Sequence, residues 1–402
     1  MTKDMTSGSP AKLIFGFAIP MFLGLLFQQF YSMVDTLIVG KFLGVNPLAG
    51  VGSTTSLNFM VLGFCMGVCN GFAIPVAQMF GAKEEHRLRR YVTNGAWLCI
   101  VFSIVMTLVV VAVCRPVLVL MQTPEEIFEY AYVYIVIVFW GIPCTFLYNI
   151  LAAIIRSLGD SKTPVIFLAI SSGINIVLDL VFVLVFSWGV FGVALATILA
   201  QICSWVFGIF YINRKYPFLH IRLFRMRLDR RLLGQVIRLG IPSAIQECQF
   251  AVGILIMQAL INGFGNDFAA GFTAANKIDT FAFMPIESFS IAATTYVGQN
   301  MGAGRLDRVQ TGTRRALVLG TDIGGLGTLI ASMASLISYG YYVRRYPWLQ
   351  GYYLKAFTLA NLAFLVPLAL VYLLVWLGRW VGWYAEVSAI RERLGLAPGP
   401  SL

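Results

Sequence analysis

Charge is scarce in this chain: 18 acidic and 29 basic side chains make up only 12% of 402 residues. Soluble domains carry about 25%, so a water-soluble globular protein is excluded. Histidine is scarcer still, with two residues. No H-E-x-x-H, G-x-S-x-G or D-x-x-D-G pattern occurs, so zinc or nucleophile chemistry lacks its residues and no enzyme activity is expected. All seven cysteines (Cys65, Cys69, Cys99, Cys114, Cys144, Cys203, Cys248) lie in or beside apolar runs. With no C-x-x-C and no paired loop framework, a disulfide scaffold is excluded. The short alternating segments of a β-barrel are missing as well. The first apolar run is too long for a signal peptide and has no small-residue cleavage site, so it reads as a transmembrane helix.

What is abundant is hydrocarbon. Hydrophobic residues make up 59% of the chain, and the mean hydropathy is +0.81. Windows of about 20 apolar residues are long enough to cross a bilayer core of about 30 Å. Ten spans are expected, at 13–40, 48–80, 92–114, 127–155, 163–186, 190–212, 236–263, 268–297, 316–341 and 356–383. The fold class is therefore an all-α polytopic membrane protein.

The net charge of +11 does not point to nucleic acid, because of where the cations sit. "AKEEHRLRRY", "RSLGDSKTP", "NRKYPFLHIRLFRMRLDRRLLGQVIR" and "GAGRLDRVQTGTRR" occupy alternate loops, and intervening loops such as "NGFGND" are nearly free of Lys and Arg. That is the positive-inside pattern, with a cytoplasmic amino terminus and basic loops facing anionic lipid. The partners expected are the lipid bilayer and a small molecule, with no nucleic acid and a monomeric chain.

The sequence repeats across its widest break. "FGFAIPMF" around Pro20 pairs with "IRLGIPSA" around Pro242, and "VAQMFGAKEEHRLRR" pairs with "VGQNMGAGRLDRVQ" at an offset one residue shorter. Six spans separate the copies, so both enter the membrane in the same direction, as in the parallel repeats of transporters. This divides the chain into a six-helix lobe at 1–212, a basic cytoplasmic linker at 213–235 and a second lobe at 236–402. Pro20 and Pro242 lie inside their helices, where a proline removes a hydrogen bond and bends the segment, as a static kink or as a hinge.

Several intramembrane polar residues fall on shared faces. Tyr31 and Asp35 are four apart, and Ser172, Asn175 and Asp179 follow i, i+3 and i+7 in the fifth span. Counting from a cytoplasmic amino terminus puts Asp35, Asp179 and Thr197 all in the outer half of the bilayer, where they can converge. A carboxylate inside a membrane costs roughly 2.5–3.5 kcal/mol and is retained mainly for function. Two close carboxylates cannot both ionise cheaply, so such a pair can hold a proton, or a Na⁺ completed by amide and hydroxyl oxygens. The alternatives are that Asp35 snorkels to the interface and Asp179 caps a broken helix. In the second lobe, Glu247, Gln246, Asp279 and Glu287 are candidates for a substrate cavity. Lys277 stands near the last two and can simply neutralise them.

The motifs "YSMVDTLIVGKFLG", "PVAQMFGAK", "IIRSLGDSKTP", "SGINIVLDLVF" and "YVGQNMGAG" occur in order. Across residues 9–320 they resemble the multidrug and toxic compound extrusion (MATE) family. The resemblance implies two six-helix lobes around a central cavity. It also implies antiport, in a cell-membrane protein, of organic, cationic and amphipathic compounds against inward H⁺ or Na⁺, with no cofactor beyond that ion. It assigns the cation site to Asp35, Asn175, Asp179 and Thr197, and more loosely to Tyr31 and Asn149. Residues 321–402 depart from the pattern: no counterpart of "RSLGD" appears near residue 377, and "YYVRRYPWLQGYYLK" is basic on the outer side. The second lobe therefore reads as incomplete. Two rival readings follow, an incomplete or fused non-transporting relative and a lipid-linked oligosaccharide flippase of the same superfamily.

Overall fold

The structure is a computed structural model that describes residues 4–121, 123–219, 229–262 and 266–316. Among these there is no strand. The helices are α1 (Pro10–Ile38), α2 (Val45–Ser53), α3 (Thr55–Gly81), α4 (Glu85–Leu120), α5 (Glu125–Trp140), α6 (Ile142–Ser157), α7 (Lys162–Leu180), α8 (Gly189–Lys215), α9 (Arg230–Asn262) and α10 (Asn266–Gly302). Residues 306–316 are helical too. The first eight expected spans are all found as helices. The spans at 316–341 and 356–383 and the atypical stretch 321–402 lie outside the described residues, Ala316 apart, as do residues 220–228 of the expected linker.

Among the described residues, five spans are long and apolar enough to cross a membrane, and a sixth forms if α5 and α6 count as one bent by 48°. The bend falls inside the expected span 127–155 and has a local cause. Pro143 lies in the first turn of α6, where its missing N–H does no harm. At Gly141 a Cβ would lie 2.6 Å from Ile198 Cγ1, so the glycine lets α8 approach the break.

The helices are inside out relative to a soluble protein. On α4, Val101, Ile104, Val105, Leu108 and Val109 form one exposed apolar face at helical spacing. The opposite face buries Ser103 and Thr107, whose hydroxyls bond to backbone carbonyls one turn back. Such an exposed stripe suits hydrocarbon and not water. The main core gathers Phe72, Phe139, Phe146 and Ile154 where α3 packs on α4 and α6. Separately, α1 packs on α7 and α7 on α8. At Gly24 of α1 a Cβ would come within 2.9 Å of Val165, so the glycine brings α1 close to α7.

By contacts the chain divides into two compact units. Of the described residues, the first unit holds 4–255 and 270–316. The second holds 256–262 and 266–269, which are stretches of α9 and α10.

Within the first unit, one end of the helices carries the basic clusters, and small residues bring helices close together toward it. A Cβ on Gly71 of α3 would lie 2.5 Å from the Cα of Gly240 in α9, and one on Gly67 2.6 Å from that of Ala244. A Cβ on Gly81 would lie 1.8 Å from the Gln299 carbonyl oxygen, and one on Gly302 1.7 Å from the Gln78 carbonyl oxygen. The two copies of the repeated Q-x-x-G motif thus touch each other reciprocally, as small residues allow in membrane helix pairs. On the other side Phe17, Ala18 and Met21 of α1 pack with Phe289, Ala292 and Tyr296 of α10.

The segment before α1 is tied into this end. Met5 is fully buried. Its N–H donates to Gln299 Oε1 at 2.9 Å, and its carbonyl accepts from Asn300 Nδ2 at 3.1 Å and Arg308 at 3.2 Å. Gln299 Nε2 in turn donates to the Ser157 carbonyl at 2.9 Å. The start of α9 is held to α4 by the Arg90–Asp229 ion pair at 2.5 Å and by a Tyr91–Gln235 hydrogen bond.

Candidate functional site

The polar residues of α1, α7 and α8 meet. Asp179 is fully buried and Asn175 nearly so. The carboxyl of Asp179 lies within hydrogen-bonding reach of that of Asp35. In the amide orientation that satisfies both of its polar atoms, Asn175 Nδ2 donates to Asp179 Oδ2 at 2.9 Å and to the Tyr31 hydroxyl at 3.2 Å. Its oxygen accepts from the Thr197 N–H at 3.0 Å. Thr197 Oγ1 donates to the Val193 carbonyl one turn back. Five of the six residues expected in the cation site are therefore neighbours.

Each carboxylate stands close to an irregularity in its helix. A π-helical turn at Val39–Leu43 follows Asp35, and another at Val181–Val185 follows Asp179. Single π turns frequently occur at functional sites. Asp35 Oδ1 and Asp179 Oδ1 are buried with no hydrogen-bond partner among the described residues. A buried charged oxygen in that state is costly, so the pair suits a shared proton or a bound cation. No group of three or more His, Cys, Asp or Glu side chains among the described residues is arranged to hold a metal ion. A cation here would need the amide and hydroxyl oxygens beside the two carboxylates, a hard set that fits Na⁺.

Beside the site is a cavity of about 180 Å³, lined by Tyr31, Asn175 and Thr197 together with Gln28, Asn70, Thr145, Tyr148, Asn149, Gln201, Arg156 and Glu287. Tyr31, Asn175 and Thr197 thus separate the carboxylates from the cavity. Asn149 belongs to the cavity wall and not to the carboxylate cluster: its Nδ2 donates to the Thr145 carbonyl at 2.9 Å, and Thr145 bonds Gln201 at 2.5 Å. Of the four residues expected at a substrate cavity, Glu287 lines this one. Gln246 and Glu247 are exposed and do not line it, and the side chain of Asp279 lies outside the described residues. Pro20 and Pro242 lie inside α1 and α9. A second groove, of about 300 Å³, lies between Phe167, Ile170, Phe207 and Phe210, whose apolar side chains suit a lipid contact, and is bounded by Tyr211, Arg214 and Lys215.

Sequence reasoning missed three features. Tyr134 of α5 is buried and close enough to interact electrostatically with both carboxylates. Arg156, read as a loop cation, lies in the last turn of α6, lines the cavity and donates to Asn70 Oδ1 at 3.0 Å. Asp160, in the loop after α6, is 2% exposed and gathers Thr163 Oγ1 at 2.8 Å, Tyr211 at 3.0 Å and Lys215 at 3.1 Å. Burial alone would push the Asp160 carboxyl up, but the Thr163 hydroxyl and amide, Lys215 and Tyr211 outweigh it and hold the group below the usual carboxylate range.

The MatE family profile matches residues 20–181 and 242–343, more than half of the chain. The chain belongs to the MATE family. The family is one of transporters, and with the apolar helices this makes the chain a multi-pass membrane protein. Two proteins of Bacillus subtilis (strain 168) are similar. The probable multidrug resistance protein YoeA is 30% identical over 317 residues, covering 77% of this chain and 68% of that protein. The probable multidrug resistance protein YpnP is 30% identical over 308 residues, covering 76% and 68%. Solved MATE structures share the fold of two pseudo-symmetric helical lobes. An outward-facing multidrug resistance MATE transporter of the MOP superfamily aligns with a TM-score of 0.73 and 22% identity, over 83% of this chain and 75% of that one. A MOP superfamily transporter from Pyrococcus furiosus, described as having a binding pocket of reverse polarity, aligns at 0.73 and 23%, over 86% and 74%.

Proposed function

We propose that this MATE protein is a secondary antiporter that exports organic compounds in exchange for inward H⁺ or Na⁺. The observation that carries the reading is the meeting of Asp35 and Asp179 in a buried, amide-bridged cluster beside a polar cavity. Two carboxyls within reach of each other can share one proton, and a second unneutralised charge there is costly. The inward-moving ion supplies that neutralisation, and the cavity holds the outward-moving compound. Multidrug resistance relatives support drug-like cargo. The basic loops support a plasma-membrane protein whose amino terminus and basic end are cytoplasmic. On this reading the lobes are 1–212 and 236–402, joined by the linker 213–235, and the chain works as a monomer. Pro20 and Pro242 are the hinges at which α1 and α9 flex as access alternates, and the close glycine contacts are the cytoplasmic gate. A flippase for a pyrophosphate-linked lipid would call for several cavity arginines, and among the described residues Arg156 alone lines this one.

The test is transport by the full chain in proteoliposomes, using a panel of fluorescent cationic, zwitterionic and neutral dyes with an imposed pH or Na⁺ gradient. One of the two gradients should drive dye across the membrane, and collapsing it should stop the flux. No gradient-dependent flux of any dye would overturn the reading.

A further inference from the structure

Arg156 and Glu287 both line the cavity, one from α6 and one from α10. Each is near enough to act on the other electrostatically, and Glu247 also acts on Glu287, yet Arg156 and Glu287 do not form an ion pair. The guanidinium donates instead to the neutral amide of Asn70, at 3.0 Å. Glu287 is exposed and belongs to the stretch of α10 whose Phe289 meets Phe15 of α1 in a tilted contact, with ring centres 5.8 Å apart. Arg156 is set between Asn70 and the helix end that Ser157 fixes to Ala73 and Gln299.

An arginine stays charged in such a place and prefers a carboxylate in two-pronged contact. Two opposite charges left unpaired with each other in one cavity present a dipole to whatever enters. A purely cationic compound satisfies Glu287 and meets repulsion from Arg156. A compound that carries an anionic group beside its cation satisfies both. The volume of about 180 Å³ is below the roughly 300 Å³ at which drug-sized pockets begin, so it suits a compact charged head group with its apolar remainder outside.

We infer that Arg156 and Glu287 form a two-charge seat that selects zwitterionic compounds, the anionic group on Arg156 and the cationic group on Glu287. This deepens the antiport reading and rests on it for the role of the bound compound as cargo.

A matched set of styrylpyridinium dyes tests it. The N-carboxymethyl dye is a zwitterion, and the N-carbamoylmethyl dye is a cation of the same size. Fluorescence titration of the full chain in nanodiscs should show the zwitterion bound at least about tenfold more tightly, the ratio of one charge-assisted hydrogen-bonded contact. Arg156→Gln should remove that preference, and Glu287→Gln should weaken both dyes. If Arg156→Gln does not fold, Arg156→Lys should cut the preference severalfold, because a lysine cannot make the two-pronged contact. Equal binding of the two dyes, preference for the cation, binding of neither, or a preference that survives the Arg156 variants would overturn the inference. Gradient-driven flux of the cation without preference for the zwitterion would leave antiport standing and remove the seat. Preferential zwitterion binding with no gradient-driven flux of any dye would do the reverse.

Discussion

Asp35 and Asp179, on helices that are far apart in sequence, bring their carboxyl groups within hydrogen-bonding reach of each other. Asn175 holds Asp179 at 2.9 Å and Tyr31 at 3.2 Å, so the cluster is braced from α1 and α7 together. Asp35→Asn and Asp179→Asn each keep the shape and remove one charge. Each should abolish gradient-driven efflux in proteoliposomes while the chain still inserts and purifies as a single species. Efflux retained within about twofold in either variant, a difference of only ~0.4 kcal/mol, would remove the coupling role.

Tight glycine contacts at the basic end make a stability prediction. Because a Cβ on Gly81 or Gly302 would run into a backbone carbonyl, no rotamer change relieves it. Gly81→Ala and Gly302→Ala should each cost about 1–3 kcal/mol or more, seen as a lower melting temperature of the purified chain. Gly95→Ala in α4 meets nothing within 4 Å and should gain about 0.5–1 kcal/mol from helix propensity. If all three melt alike, the contact is not as close as described.

Much of this was legible in the sequence, and the residues show why. Tyr31, Asp35, Asn175 and Asp179 are rare polar positions in apolar spans, so helical spacing and charge sidedness were enough to bring them together. Arg156, Tyr134 and Gln201 were not legible, because whether a helix turns them inward depends on its neighbours. The basic loop around Arg156 also disguised it as one more cytoplasmic cation. Gln246 and Glu247 show the converse, acidic and amide side chains that look cavity-like in sequence but do not line the cavity.

Gln299 joins the segment before α1 to the end of α6, through Met5 and Ser157. Gln299→Ala removes both bonds and leaves the buried Met5 N–H unpaired, at a cost of about 1–3 kcal/mol. Hydrogen exchange read by mass spectrometry on the amino-terminal peptide should then show the Met5 amide losing its protection. Unchanged protection would mean that Asn300 and Arg308 hold the segment without it.

The Asp160 cluster makes a pH prediction. Its carboxyl sits below the free value of 3.8 in the folded chain, so the stabilisation is fully present above about pH 4 and is lost as pH falls through the lower folded value. Asp160→Asn should lower the melting temperature at neutral pH, by about 1–3 kcal/mol of lost and unmet hydrogen bonds. The gap between variant and parent should close on acidification below that range. A gap that stays constant from neutral to acid pH would show that the carboxylate charge is not what holds Lys215 and Tyr211.

The reciprocal contact of Gly81 with Gln299 and Gly302 with Gln78 has the form of an isologous interface: residue i meets j, and j meets i. A half-length ancestor pairing with its own copy would present the same surface twice, and any substitution there would be felt at both places. Fusion into one chain releases that constraint, because each copy can then change alone. The two glutamines are not equivalent in this structure. Gln299 bonds Met5 and Ser157, whereas the Gln78 side chain makes no hydrogen bond among the described residues. The two glycines are equivalent, because the approach of the two backbones depends on each of them.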